Sequence, residues 1–369
     1  MSDKRRLEEL VPHLSTTGED PIPASVVREC EPLRIPFDRR PFLDALDVGR
    51  RKRIYLDLSY WLKLTDQPSA TWKDLLGALL GGVAAGRLIC PVTPAHLLEL
   101  AKLRDETQAK QCMDLISNLS RHVMFRDHGA RIRDEIAYAV RNSHSPPALS
   151  AHPWWFAFSM YPDMYGDMVL VSHPSPEGRE VLEKLAPHLF RETVEKGLRH
   201  RYPGEFGYPE ALKRAEETYE ESMAAFRARA PRGKVRFEEQ FEVEASDLIG
   251  RLAGRYLNIA ASAGGNEIAA RFMARYRTDA ARRKYQLEHV PTLRVEAEVL
   301  AAWAESGAKY ERNDYFDIEN LVTATPYVHF LTGDRMMTHI ARRLKWDRTF
   351  GLRIIDSPES LLEAIGTLA

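Results

Sequence analysis

Apolar and polar positions change their period several times along the chain, and each change marks an element. Residues 1–50 mix prolines and charges (DPIPASVV, EPLRIPFDRRPF) with little periodicity, the pattern of an N-terminal arm laid on a domain or partly disordered. From Arg53 the pattern sharpens: IYLDL is a short β-favouring run and SYWLKL starts a helical period, so a strand enters a helix. Thr71 with Asp74 predicts a capping box for a helix ending near Gly86, and RLICPV predicts a second strand. Thr93 and Pro94 then supply a cap and a first-turn proline for a helix carrying HLLELAKL.

After Pro291 a helical period (TLRVEAEVLAAWAES) leads to NDYFDIENLVTATPY, the strand VHFLT, the turn GDR, a short helix and the strand LRIID; Ser357 and Pro358 open a last helix. Strands alternating with helices at both ends predict an α/β fold, a parallel sheet flanked by helices. Residues 105–289 are mostly long, charged, helix-period sequence, such as RIRDEIAYAVRN and NEIAARFMARYRTDAARRKY, and read as a large helical insertion or subdomain. An aromatic stretch, HPWWFAFSMYPDMYGDM, interrupts it; packing within the helical region is the first reading of Trp154, Trp155, Phe156, Phe158, Tyr161 and Tyr165, base stacking the second.

Composition narrows the function classes. Of 369 residues, 44% are hydrophobic and 28% charged, an ordinary globular balance, and no apolar run approaches the roughly 20 residues of a membrane helix, so no membrane partner is expected. The opening MSDKRRLEEL lacks the apolar stretch of a secretory signal, which points to a cytoplasmic location. Three cysteines (Cys30, Cys90, Cys112), widely spaced and in no CxxC pair, read as core thiols rather than disulfides or metal ligands. A net charge of -1 provides no global field for a polyanion, so nucleic-acid binding requires a local patch. Basic residues recur at Arg271, Arg275, Arg282, Arg283 and Lys284 and at Arg227, Arg229, Arg232, Lys234 and Arg236, either as a solvated face or as phosphate contacts.

The chemistry-bearing residues are acids. Asp57 lies near the end of the first strand, Glu99 about one and a half turns into the helix after the second, Asp317 at the opening of the helix before VHFLT, and Asp334 just past that strand. Ligands of open parallel sheets bind beyond the carboxyl ends of the strands, so all four can converge on one crevice. Two like charges about 4 Å apart cost roughly 4 kcal/mol at an effective dielectric near 20, a penalty that a divalent cation removes. Oxygen-only ligands suit Mg²⁺ or Mn²⁺, with water and phosphate oxygens completing the shell.

The segments IYLDLSYW, VTPAHLLELAK and NDYFDIENLVTATPYVHFLTGDR resemble the motif blocks of PIN-domain nucleases. The resemblance implies a PIN-like domain on residues 51–104 and 290–369, with Asp57, Glu99, Asp317 and Asp334 as catalytic metal ligands. Asp314 competes with Asp317 for the third position, and Ser59 and Thr332 match accompanying polar positions. In that family the blocks usually lie close together; here residues 105–289 separate them. The implied activity is metal-dependent endonucleolytic hydrolysis, of RNA in preference to DNA, with single-stranded or structured RNA as partner. A toxin or defence role is compatible, and the insertion would engage a protein partner or a second copy of the chain. Two other readings stand beside it, a non-catalytic PIN-like scaffold or binding module and a metal-dependent phosphatase. GGVAAGRL lacks the Lys-Ser/Thr of a P-loop, and no GxSxG or HExxH motif occurs.

Overall fold

The computed structural model describes residues 40–100, 103, 105–126, 128–160, 217, 220–221, 224–229, 235–264, 266–307 and 312–368. Its centre is a four-stranded parallel sheet of β1 (Lys52–Tyr55), β2 (Leu88–Ile89), β5 (Phe330–Thr332) and β6 (Arg353–Ile355), ordered β2-β1-β5-β6. Ile54 pairs with Phe330 and Tyr55 with Leu331, while Leu331 pairs with Ile354. Both faces are covered, which explains why the strands read as short continuous apolar runs.

The period of two divides these runs between two cores. Ile54, Leu56, Leu88, Phe330 and Ile355 face α2 (Leu58–Asp66), α3 (Ala70–Ala84), α5 (Glu106–Ser120) and α14 (Pro358–Gly366). Tyr55, Ile89 and Leu331 face α10 (Pro291–Ser306), α11 (Arg312–Ala324), α12 (Arg335–Arg343) and α13 (Trp346–Phe350). Trp61 and Trp346, both fully buried, anchor the two sides. Full burial of a large apolar side chain contributes about 1.5–3 kcal/mol.

A third core joins α6 (His128–Arg141), α7 (Phe237–Gly264), α8 (Asn266–Arg275) and α9 (Asp279–His289) to the first half of α10, through Ile132, Ile136, Leu248, Phe272, Tyr285 and Leu293. The apolar positions of α10 therefore serve two cores, Leu293 and Ala297 in this one and Val295, Val299 and Trp303 in the sheet's. The first residues of the expected insertion also belong to the sheet. Cys112 and Ile116 of α5 pack on its face, and β3 (Val123–Phe125) is tied to the chain after β2, where the Phe125 amide donates to the Val92 carbonyl at 2.9 Å. β3 pairs antiparallel with β4 (Phe158–Met160).

Local signals held unevenly. Thr93 caps α4 (Pro94–Leu100), accepting from the His96 amide, and Ser357 caps α14. The capping box expected at Thr71 is corrected: α3 starts at Ala70 behind Ser69, whose side chain makes no capping bond. Asp317 does not open its helix either; α11 begins at Arg312, with Asp314 in its first turn and Asp317 further in. α3 ends at Ala84, and Gly86 after it has φ of 71°, the left-handed region that glycine tolerates. Within the expected arm, Arg40–Ala45 form α1, and residues 1–39, including Cys30, lie outside the described residues. Among the described residues no helix is long and apolar enough to cross a membrane.

Candidate active site

The chain runs outward from β1 in both directions: β2 lies on one side of it, and β5 and then β6 on the other. The winding therefore reverses between β1 and β5, and in open α/β sheets that reversal, at the carboxyl ends of the strands, leaves a crevice for ligand. Asp57 follows β1 and Asp334 follows β5 at this point. One threonine fastens the two strand ends. The Thr332 hydroxyl donates to the Tyr55 carbonyl at 3.0 Å and accepts from the Asp57 amide at 2.9 Å. Gly333 lets the next helix approach, since a Cβ there would stand 3.0 Å from Met337 Cβ.

Each aspartate also shapes a helix start. Asp57 caps α2, its Oδ2 accepting from the Ser59 amide at 3.1 Å and the Ser59 hydroxyl at 2.6 Å. Asp334 caps α12, its Oδ1 accepting from the Met337 amide at 2.7 Å. Capping and a role in the site coexist, because each carboxylate retains a second oxygen. Asp57 is only 7% exposed, whereas Asp334 is exposed and Glu99, Asp314 and Asp317 are half-buried.

The four acids share one electrostatic neighbourhood. Burial pushes the Tyr55 hydroxyl well above its ordinary value, and Asp57, Glu99, Asp317 and Asp334 all push the same way. Burial raises Asp57 against the Ser59 hydrogen bonds, with Asp334 adding to the rise. Asp317 is pushed up to about 7, by burial first and then by Asp57, Asp334 and Asp314. Like charges held together in a partly dry crevice mark a place built for a cation or for a shared proton.

Beneath the acids lies a buried polar layer that sequence reading missed. His96, one turn before Glu99, stacks on Tyr55 with ring centroids 5.3 Å apart and meets its hydroxyl at 3.2 Å. The Thr93 amide donates to His96 Nδ1 at 3.3 Å, and the Thr93 hydroxyl donates to Asn320 Oδ1 at 2.5 Å. Burial pushes His96 down to about 3, so it is neutral, and with Nδ1 accepting, its Nε2 carries the proton. The layer joins the helix of Glu99 to the helix of Asp317, and Asn320 lies on the face of Asp317, one turn later. Asn320 Nδ2 is buried with no acceptor among the described residues. The available signal was the spacing His96-Glu99 and Asp317-Asn320, each i to i+3.

Elsewhere the candidates resolve into packing. Trp154, Trp155 and Phe156 lie against the sheet's core and Phe158 is buried within it, while Tyr161 and Tyr165 lie outside the described residues. Arg229 binds Glu244 and Asp247, Arg282 binds Asp279 and the Tyr276 carbonyl, Arg283 binds Ser246, and Arg271 and Lys284 pair along their helices. Arg232 and Lys234 lie outside the described residues. Cys90 and Cys112 are buried free thiols. His329 accepts from the Arg53 amide at 3.0 Å, a structural role in the sheet.

The donor set fits a hard divalent cation, being carboxylates alone with a deficit of positive charge among them. Among the described residues no three His, Cys, Asp or Glu side chains form a group able to hold an ion by themselves. Compared with known protein families, with curated proteins and with solved structures, the chain has no match.

Proposed function

We propose that the chain is a metal-dependent endonuclease of the PIN type that hydrolyses phosphodiester bonds, with RNA as the preferred substrate. The observation that supports this reading is that Asp57, Glu99, Asp317 and Asp334, from four elements, all act electrostatically on Tyr55 at the end of β1, beside the point where the winding of the sheet reverses. Asp57, Asp317 and Asp334, with Glu99 and Asp314 beside them, would hold Mg²⁺ or Mn²⁺. Such an ion would orient and acidify the attacking water and neutralise charge on the phosphoryl oxygens. The chain's own residues prepare the place. Ser59 orients Asp57, Thr332 holds the two strand ends in register, and the Tyr55-His96-Thr93-Asn320 layer keeps the helices of Glu99 and Asp317 together without adding charge.

Cleavage of labelled single-stranded RNA and DNA with Mg²⁺, Mn²⁺ or EDTA tests the reading. Metal-dependent cutting that disappears in both Asp57→Asn and Asp334→Asn is the expected result. The open spacing of the acids favours one second reading, a PIN-like scaffold without catalysis. Wild-type protein that neither cuts nor binds metal in titration would replace the first reading with the second.

A further inference from the structure

The chain's net charge is -1, yet residues 335–353 contain Arg335, Arg342, Arg343, Lys345, Arg348 and Arg353 against a single acid, Asp347. This basic segment begins one residue after Asp334. It is folded as α12, α13 and the start of β6; Arg343 pairs with Glu305 and Arg353 with Glu363, and a cleft of about 680 Å³ opens along α12. Arg335, His339 and Arg342 line that cleft from α12, together with Gly333 before the helix and Asp356 after β6. Arg335, Thr338, His339 and Arg342 follow the i, i+3, i+4, i+7 spacing of one helix face, so the helix carries the line of donors directly away from the carboxylates.

The basic side chains of this wall differ in how they are engaged. Arg342 meets Asp356 at 2.6 Å with both side chains about half exposed, a pair worth little in water and open to competition. Arg335 and His339 are exposed, and among the described residues neither side chain meets an acid. In the helical region, Arg229, Arg271, Arg282, Arg283 and Lys284 are engaged with Glu244, Asp247, Asp279, Ser246 and their own helix neighbours. A polyanion would approach the acids of the candidate site only if cations beside them offset the repulsion. The α12 wall begins one residue after Asp334 and supplies an exposed arginine there, Arg335, that meets no acid among the described residues.

We propose that the cleft along α12 is the track for the sugar-phosphate backbone of a single-stranded nucleic acid, running from Asp334 past Arg335 and His339 to Arg342, with Arg342 exchanging Asp356 for a phosphate. The proposal rests on the nuclease reading for the identity of the ligand, and names the side of the carboxylates on which the strand lies. Phosphate contacts of this kind position a strand without reading its bases.

Fluorescence anisotropy in EDTA, where cutting is stopped, tests the track with RNA and DNA oligonucleotides of one sequence over a range of salt. Wild type is compared with Arg335→Ala/Arg342→Ala, with Asp57→Asn, and with Arg271→Ala as an exposed arginine outside the cleft. The double variant should bind roughly tenfold or more weakly, and its slope of log affinity against log salt should flatten by about 1.4, two phosphates at about 0.7 each for a single strand. Arg271→Ala and Asp57→Asn should bind at least as well as wild type. An RNA-DNA difference would assign the strand type and leaves the track standing. Unchanged affinity and slope in the double variant would overturn the track, as would full displacement of the strand by inorganic phosphate, which would make the cleft a small-anion site. Cutting is read separately: a wild type that cuts alongside a double variant that binds normally removes the track and keeps the nuclease. A wild type that never cuts, alongside a double variant that loses binding, removes the nuclease and keeps the track.

Discussion

At the carboxyl end of the sheet, Asp334 adds to the raised proton affinity of Asp57, and both add to that of Asp317. Where α6 meets α10 and α11, Arg131 and Glu135, both fully buried, compensate each other at 3.9 Å. Arg131 donates to the hydroxyls of Thr292 and Thr323, and Glu135 accepts from the Thr292 amide and hydroxyl and from the Tyr327 hydroxyl. The second centre satisfies its charges within the chain and joins the helical region to the sheet. The first keeps Asp57, Asp317 and Asp334 together with no ion pair to them among the described residues, which is the arrangement expected where the partner is a ligand. Burial of charge is common to both; only the presence or absence of internal neutralisation separates structure from chemistry.

Substitutions can break that contrast. Glu135→Gln should destabilise the fold by about 3–5 kcal/mol, because a buried guanidinium then lacks its counter-charge. A urea midpoint within about 1 kcal/mol of wild type would deny the centre its structural role. Arg131→Met combined with Glu135→Leu should be less damaging than Glu135→Gln alone. At the acid centre the signs reverse. Asp57→Asn should reduce metal-dependent cleavage at least about a hundredfold, or roughly 2.7 kcal/mol of barrier, while leaving the urea midpoint at or above wild type. A variant that cuts normally would end the assignment.

The layer below the acids has its own signature. His96 sits near 3 in the fold against an ordinary 6.5, so the unfolded chain takes up the proton first as pH falls. Stability is therefore complete above about 6.5 and declines from there towards about 3, by up to about 1.4 kcal/mol per pH unit for this group. Urea midpoints measured across that window should decline less steeply in His96→Gln; identical pH dependence would show that His96 is not held neutral. The smallest expected effect is Asp317→Asn in metal-free buffer, a gain on the order of 1 kcal/mol from relieved repulsion. The same variant should lose part of the thermal stabilisation that added Mg²⁺ provides to wild type. A lower melting temperature without metal would mean that the acids do not repel one another as the geometry requires.

Much of this frame was legible in the chain. RLICPV, VHFLT and LRIID each contain an observed strand and IYLDL overlaps the second half of β1, because runs buried on both faces are apolar. Thr93-Pro94 and Ser357-Pro358 marked helix starts correctly, since capping is a local hydrogen-bond requirement. Thr71 failed as a cap although the motif was present, because Ser69 and Ala70 already fit the chain's entry into α3. Asp317 was displaced from cap to mid-helix by the five residues Arg312–Phe316 that α11 accommodates before it.

The sequence by itself determined which segments become strands and helices, which faces are apolar, and which acids stand at strand ends, since all of these follow from periods of two and 3.6 and from local capping. Only the tertiary structure decided that β5 lies beside β1, that Thr332 ties Asp57 to that strand, that His96 and Asn320 share one buried layer, and that Arg335 rather than the arginines of the helical region faces an open cleft. Those are pairings between residues hundreds of positions apart, such as Asp57 with Thr332 at a separation of 275. They are selected by how two faces of a sheet and the helices upon it pack together, a property no local pattern of residues encodes.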